Sequence, residues 1–174
     1  MSELSLGTGR RIITPKVGGH LAGYGWDVFS NSVHDDLTVT AYSFNQGNDR
    51  FLLISATVCL IGNEVFQIIS SEIYKRYRIP AEKLMMAAIH THSGPYTYST
   101  AGWGERDDEY CNEILIPRVL EAVDEAIGAE KPVKVGVGSI ESNIGINRRE
   151  YGPDGEVILG QNPWGGDGLG VKHA

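Results

Sequence analysis

The residues best suited to chemistry are two histidines separated by one residue, His90 and His92, in the run Ile89-His90-Thr91-His92-Ser93-Gly94-Pro95. In an extended chain, residues i and i+2 point to the same face, so both imidazoles would project together. A neutral imidazole is a common ligand for zinc, and the carboxyl ends of strands in an open α/β sheet are where such folds place their ligand crevice. The pair is a candidate metal edge. A blander alternative has one histidine hydrogen-bonded within a loop and the other in solvent.

Other positions could complete or line such a site. Asn147-Arg148 follows a glycine break at Gly145 and would put a fixed positive charge and planar donors on a loop leaving the sheet, unless Arg148 is a surface arginine like Arg149. His34 precedes Asp35-Asp36. It could ligate, orient a ligand through a hydrogen bond, or form a polar turn, and the last two readings are favoured. Ala22-Gly23-Tyr24-Gly25 sets one aromatic ring in flexible backbone, suited to lining a pocket and equally to a plain loop. Cys59 and Cys111 have neither the spacing of a metal-binding pair nor the number for a disulfide framework, and are expected to be buried thiols. Metallo-β-lactamase-like enzymes also open a metal site with His-x-His, but they continue with Asp-His where this chain has Ser93-Gly94-Pro95.

These residues need a frame. Thr38 to Phe44 alternates and Phe51 to Leu60 is almost unbroken apolar sequence, with Gly47-Asn48-Asp49 between them, which predicts a hairpin feeding a buried strand. Asn63 can cap a helix facing inward with Phe66, Ile69, Ile73 and Tyr77, stopped by Ile79-Pro80. Leu84 to Ile89, apolar without alternation, reads as a strand covered on both faces. A second helix carries Val119, Leu120, Val123 and Ile127, with Gly128 just past its end. It begins at Pro117, or near Asp108 with a kink at that proline. Val133 to Ile140 alternates as a strand, and Val157-Ile158-Leu159 follows the Pro153-Asp154-Gly155 turn as another. Strands interleaved with helices predict an α/β fold with a mixed sheet and flanking helices. Residues 1 to about 160 read as one unit, followed by a glycine-rich tail at 165–174.

At 174 residues and 41% hydrophobic, the chain is long enough for one ordinary core. Its formal charge of −7 is spread along the sequence, with no Lys/Arg cluster to track a phosphate backbone, so nucleic acid is not an expected partner. The first residues lack a basic region followed by an apolar one, and no apolar run reaches the ~18 residues of a membrane span. A cytoplasmic location is expected.

Taken in order, Arg11-Ile12-Ile13-Thr14-Pro15, Leu21 to Gly25, Val33-His34-Asp35, Ala88 to Pro95 and Gly145 to Arg149 resemble the neutral/alkaline non-lysosomal ceramidase family over about residues 7–163. The resemblance implies that His90 binds a catalytic zinc ion, that His92 lies beside it and that Arg148 contacts the reacting group. It also implies that a second histidine, a glutamate, a tyrosine and an essential serine come from sequence beyond Ala174. The resemblance thus implies that residues 1–174 are a partial N-terminal domain of such a hydrolase, truncated at its C-terminal end, with the missing C-terminal portion of the same protein as partner. Two functional readings follow: a zinc-dependent amide hydrolase acting on an N-acyl amide such as ceramide, or a catalytically incomplete fragment or non-enzymatic scaffold that lacks the remaining zinc ligands.

Overall fold

The computed structural model describes residues 3–25, 27–142 and 149–159, which fall in two compact units, residues 1–134 and 135–174. In the first, strands β1 (Leu4–Ile12), β2 (Thr38–Gln46), β3 (Asp49–Ala56), β4 (Leu84–Ala88) and β5 (Lys131–Pro132) form a mixed sheet of order β4-β3-β2-β1-β5. The pairs β1/β2, β2/β3 and β1/β5 are antiparallel, and β3/β4 is parallel. A parallel neighbour requires a crossover, supplied by α1 (Asn63–Tyr77). The second helical stretch runs from α2 (Asp108–Tyr110) through a π turn (Cys111–Leu115) into α3 (Ile116–Gly128).

Register puts one residue of each strand in line across the sheet: Gly9, Ala41, Ile54 and Met86 form one such row, and Gly7, Ser43, Leu52 and Leu84 another. This face holds the core, where Val39, Ala41, Leu52, Ile54 and Ala56 meet Val65, Ile69 and Ile73 of α1 and Val119, Val123 and Ala126 of α3. Gly7 and Gly9 let α3 lie directly on β1. A Cβ at Gly7 would sit 1.9 Å from the Ala126 carbonyl oxygen, and one at Gly9 2.1 Å from that of Ala122. Across the edge of this core, Glu130 accepts hydrogen bonds from Ser43 Oγ (2.6 Å), Asn45 Nδ2 (2.8 Å) and Arg50 Nε (2.7 Å). Burial pushes the Glu130 carboxyl up, but the hydrogen bonds from Arg50, Ser43 and Asn45 outweigh it and hold the group below its ordinary range.

The hairpin, both helices and the 157–159 strand stand where the sequence pattern puts them, with local corrections. The α1 N-cap is Gly62, not Asn63, and no side chain caps it. A Cβ at Gly62 would lie 2.6 Å from the Thr97 carbonyl oxygen, so the crossing 95–98 loop leaves no room for a capping side chain there. The last helical stretch starts at Asp108, where Asp107 Oδ1 accepts from the Tyr110 N–H at 2.9 Å. The π turn absorbs the missing N–H and the ring of Pro117. Gly128 is the final residue of α3, with Ala129 as its cap. Strand β4 is an edge strand, and Met85 on its outer face is 54% exposed, so it is not covered on both sides among the described residues. Residues 133–142 form no strand. Val133 N–H donates to Leu4 O at 3.0 Å, but among the described residues only Lys131 and Pro132 pair with β1 as a strand. The alternating residue Val137 is 98% exposed. In the second unit, β6 (Arg149–Tyr151) and β7 (Val157–Leu159) form an antiparallel hairpin closed through Gly155 at φ 79°.

Candidate metal centre

The site lies past the carboxyl ends of the parallel pair. Beyond β4, Ile89 N–H donates to Ala56 O (3.2 Å) and His90 N–H to Val58 O (3.1 Å), so the chain stays pinned beside the continuation of β3. This brings Cys59, three residues past β3, next to His90, two past β4. His90 adopts φ 65°, a left-handed conformation that histidine enters more readily than most residues. The expectation that His-Thr-His closes an extended strand is thus corrected: β4 stops at Ala88, and the two rings meet through loop geometry.

His90 Nδ1 lies 2.9 Å from the Cys59 carbonyl oxygen. A carbonyl only accepts, so Nδ1 carries the proton and Nε2 keeps its lone pair. That Nε2 is 3.4 Å from His92 Nε2, with the rings edge to face at 78°. The separation is long for a hydrogen bond, but two nitrogens bound tetrahedrally to one zinc ion at about 2.0–2.1 Å lie about 3.3–3.4 Å apart. The pair therefore fits the nitrogen edge of a zinc site. Cys59 Sγ is 3.5 Å from His90 Nδ1 and 3.8 Å from the Tyr98 hydroxyl. Burial, followed by the hydrogen bond with Cys59, pushes the Tyr98 hydroxyl up to about 12, so it stays protonated at neutral pH. One ligand atom each from Cys59, His90 and His92 lie within 4.8 Å of one another.

The 13–25 segment forms the other wall. Ala22 N–H donates to Gly94 O at 2.8 Å, anchoring it to the turn after His92. Gly23, at φ 94°, packs flat against the His92 ring, where a Cβ would sit 2.6 Å from Nδ1. Tyr24 meets the same ring edge-on at 5.2 Å between centroids. Backbone and aromatic ring together hold His92 toward His90.

Of the residues singled out in the sequence, His90, His92 and Tyr24 come together. His34 does not join them: it is almost fully exposed and pairs with Asp35 at 2.6 Å. It borders a cavity of about 620 Å³ on the other side of the His-Thr-His segment, walled in part by Thr91, Ser93 and Phe29. Asn147 and Arg148 lie outside the described residues. Cys59 and Cys111 are both buried free thiols, as expected. The position of Cys59 beside the imidazoles escaped the sequence reading, because only the parallel register of β3 and β4 brings together residues 31 apart.

The fold is similar to that of solved ceramidase structures. The neutral ceramidase of Pseudomonas aeruginosa superposes with a TM-score of 0.66 at 18% identity, over 76% of this chain and 22% of its own. A structure described as a ceramidase complexed with C2 gives 0.67 at 19% identity with the same coverage. The chain thus spans about a fifth (22%) of the length of these solved structures. At such identities the likeness establishes the fold. No protein-family profile matches the chain. Among the described residues, no helix is long and apolar enough to cross a membrane.

Proposed function

We propose that this chain supplies part of the active site of a zinc-dependent amide hydrolase whose substrate is an N-acyl amide such as ceramide, cleaved to a fatty acid and sphingosine. The observation that carries the reading is the 3.4 Å separation of His90 Nε2 and His92 Nε2, set on a ceramidase-like fold. His90 is the metal ligand: the Cys59 carbonyl fixes its tautomer and aims Nε2 at the ion. When bound, zinc supplies Lewis acidity and brings the pKa of water down toward about 7. His92, held by Gly23 and Tyr24, is the catalytic partner that carries a proton at Nε2 and delivers it to the departing amine, a role worth about 10²–10⁴ in rate. Arg148 offers the fixed positive charge that steadies the oxyanion formed at the carbonyl. Tyr24 lines the approach, and Asn147 is a further candidate to line the substrate or steady a ligand. The remaining zinc ligands come from further sequence of the same protein.

The test is hydrolysis of a fluorescent N-acyl amide by the intact parent protein, followed beside its zinc content. Turnover that a chelator abolishes and added zinc restores is the expected result. Turnover unaffected by complete removal of metal would overturn the reading, and stable zinc-free protein with no hydrolysis would favour the non-enzymatic alternative.

A further inference from the structure

Gly23 and Tyr24 touch the His92 ring, yet residues 21–25 belong to no strand or helix. Their position must come from contacts made on either side of the pair. On one side, Ala22 is fully buried and its N–H is bonded to Gly94 O. On the other, the Gly25 carbonyl oxygen lies 3.4 Å from the hydroxyl of Tyr96. Tyr96 is 2% exposed and shares a small buried cluster with Ala22 and Cys59, apart from the main core. It thus serves both neighbours of the Gly23-Tyr24 pair, Ala22 through the cluster and Gly25 through the hydroxyl. We propose that Tyr96 is a positioning residue for His92, which fixes the Gly23-Tyr24 shelf against the imidazole and links it to the largely exposed loop 99–105. This rests on the reading of His92 as the proton donor and adds the residue that keeps its support in place.

A phenol has one proton to give. Tyr96 Oη donates it to Trp103 O at 2.8 Å, a full hydrogen bond, and Gly25 O at 3.4 Å takes the weaker share. The loop end of this link is tied to itself: Thr100 N–H donates to Gly104 O at 2.9 Å and Trp103 N–H to Thr100 O at 3.0 Å. Gly104 then lies flat on the phenol ring, where a Cβ would sit 2.6 Å from Cζ, 2.8 Å from Cε1 and 2.9 Å from Cε2. The Tyr96 backbone is pinned as well, since its carbonyl accepts from the Asp107 N–H at 2.9 Å. Held between Gly104 and the cluster, the ring has no room to tilt, and its hydroxyl stays beside Gly25 O. This role differs from filling space: a phenylalanine would occupy the same volume but leave both carbonyls without the proton.

Tyr96→Phe keeps the ring and removes the link. In the chain as it exists, the nuclear Overhauser contacts of Gly23 and Tyr24 with the His92 ring should weaken, while those between Gly9 and Ala122 in the main core stay unchanged. Gly104→Ala forces the Tyr96 ring back by about 0.5–0.8 Å and should weaken the same contacts without removing the hydroxyl, so it carries the test even if Tyr96→Phe fails to fold. In the intact parent protein, both variants should lose about tenfold in kcat, less than the loss of about 10²-fold for a full 1 Å misplacement, with KM and zinc content as in wild type. His92 contacts unchanged in both variants would overturn the role of Tyr96 and leave the hydrolytic reading intact. Loss of the Gly9 contacts as well would make Tyr96 a general support of the fold and overturn the proposal. Weakened His92 contacts with kcat unchanged would instead overturn the reading of His92 as the proton donor, and with it the catalytic consequence of Tyr96.

Discussion

Gly23→Ala tests whether a backbone shelf positions His92. The new Cβ would lie 2.6 Å from Nδ1, 2.7 Å from Cε1 and 2.8 Å from Cγ of the imidazole, where ordinary contact begins at 3.4 Å. The ring must therefore retreat by about 0.6–0.8 Å, too far for a proton donor that has to come within about 2.6–3.2 Å of the atom it serves. A misplacement of this size costs about 10²-fold in rate, and the same loss of turnover at unchanged zinc content is expected in the intact parent protein. Alanine at φ 94° also strains the backbone by about 1–3 kcal/mol, which alone would lower stability without touching the site. Gly25→Ala separates the two effects: at φ 109° it carries similar strain, but its Cβ meets only Asp27 Oδ1 at 3.6 Å. Turnover of an N-acyl amide by the intact parent protein, beside zinc content and urea unfolding, should show both variants destabilised, both holding zinc and only Gly23→Ala slowed. Equal turnover for Gly23→Ala, Gly25→Ala and wild type would refute the reasoning.

Two further predictions concern the frame. Gly9→Ala places a Cβ 2.1 Å from Ala122 O and 2.9 Å from Ala126 N, backbone atoms that no rotamer change can move. The overpacking should cost about 3 kcal/mol as a lowered urea midpoint, and a loss below about 0.5 kcal/mol would contradict the direct seating of α3 on β1. Because the folded Glu130 carboxyl titrates below its ordinary value, its contribution is present above the unfolded pKa of 4.5 and is lost as pH falls through the lower folded value. Glu130→Gln, which leaves Arg50 without its carboxylate, should cost about 2–3 kcal/mol near pH 7 and flatten the acid limb of the stability profile. An unchanged acid limb would count against the network.

Strand β2 was legible from its alternation, β3 and β4 from nearly unbroken apolar runs, and the crossover helix and α3 from apolar residues at period 3.6. Strand β1, next to the centre of the sheet, was not. Its core face is Gly7, Gly9 and Arg11, where helix backbone rather than side chain fills the space, so it has no hydrophobic alternation to read. Residues 133–142 erred the other way, since their alternation is real but an alternating pattern makes no strand without a partner to pair with. The histidine pair was visible as a motif, but the left-handed φ of His90 that sets its geometry depends on the hydrogen bond of its N–H to Val58. Cys59 carried a usable signal: in a β-α-β unit with parallel strands, residues just past the two strand ends become neighbours.

The central claim, that His90 holds the zinc ion and His92 works beside it, is tested most directly by measuring zinc content and turnover number together in the intact parent protein carrying His90→Ala or His92→Ala. His90→Ala should lose metal and activity together, whereas His92→Ala should keep most of its zinc and lose about 10²–10⁴ in rate. Zinc lost from His92→Ala and kept by His90→Ala would contradict the assignment, and variants unchanged in both metal and rate would contradict the proposed function built on it.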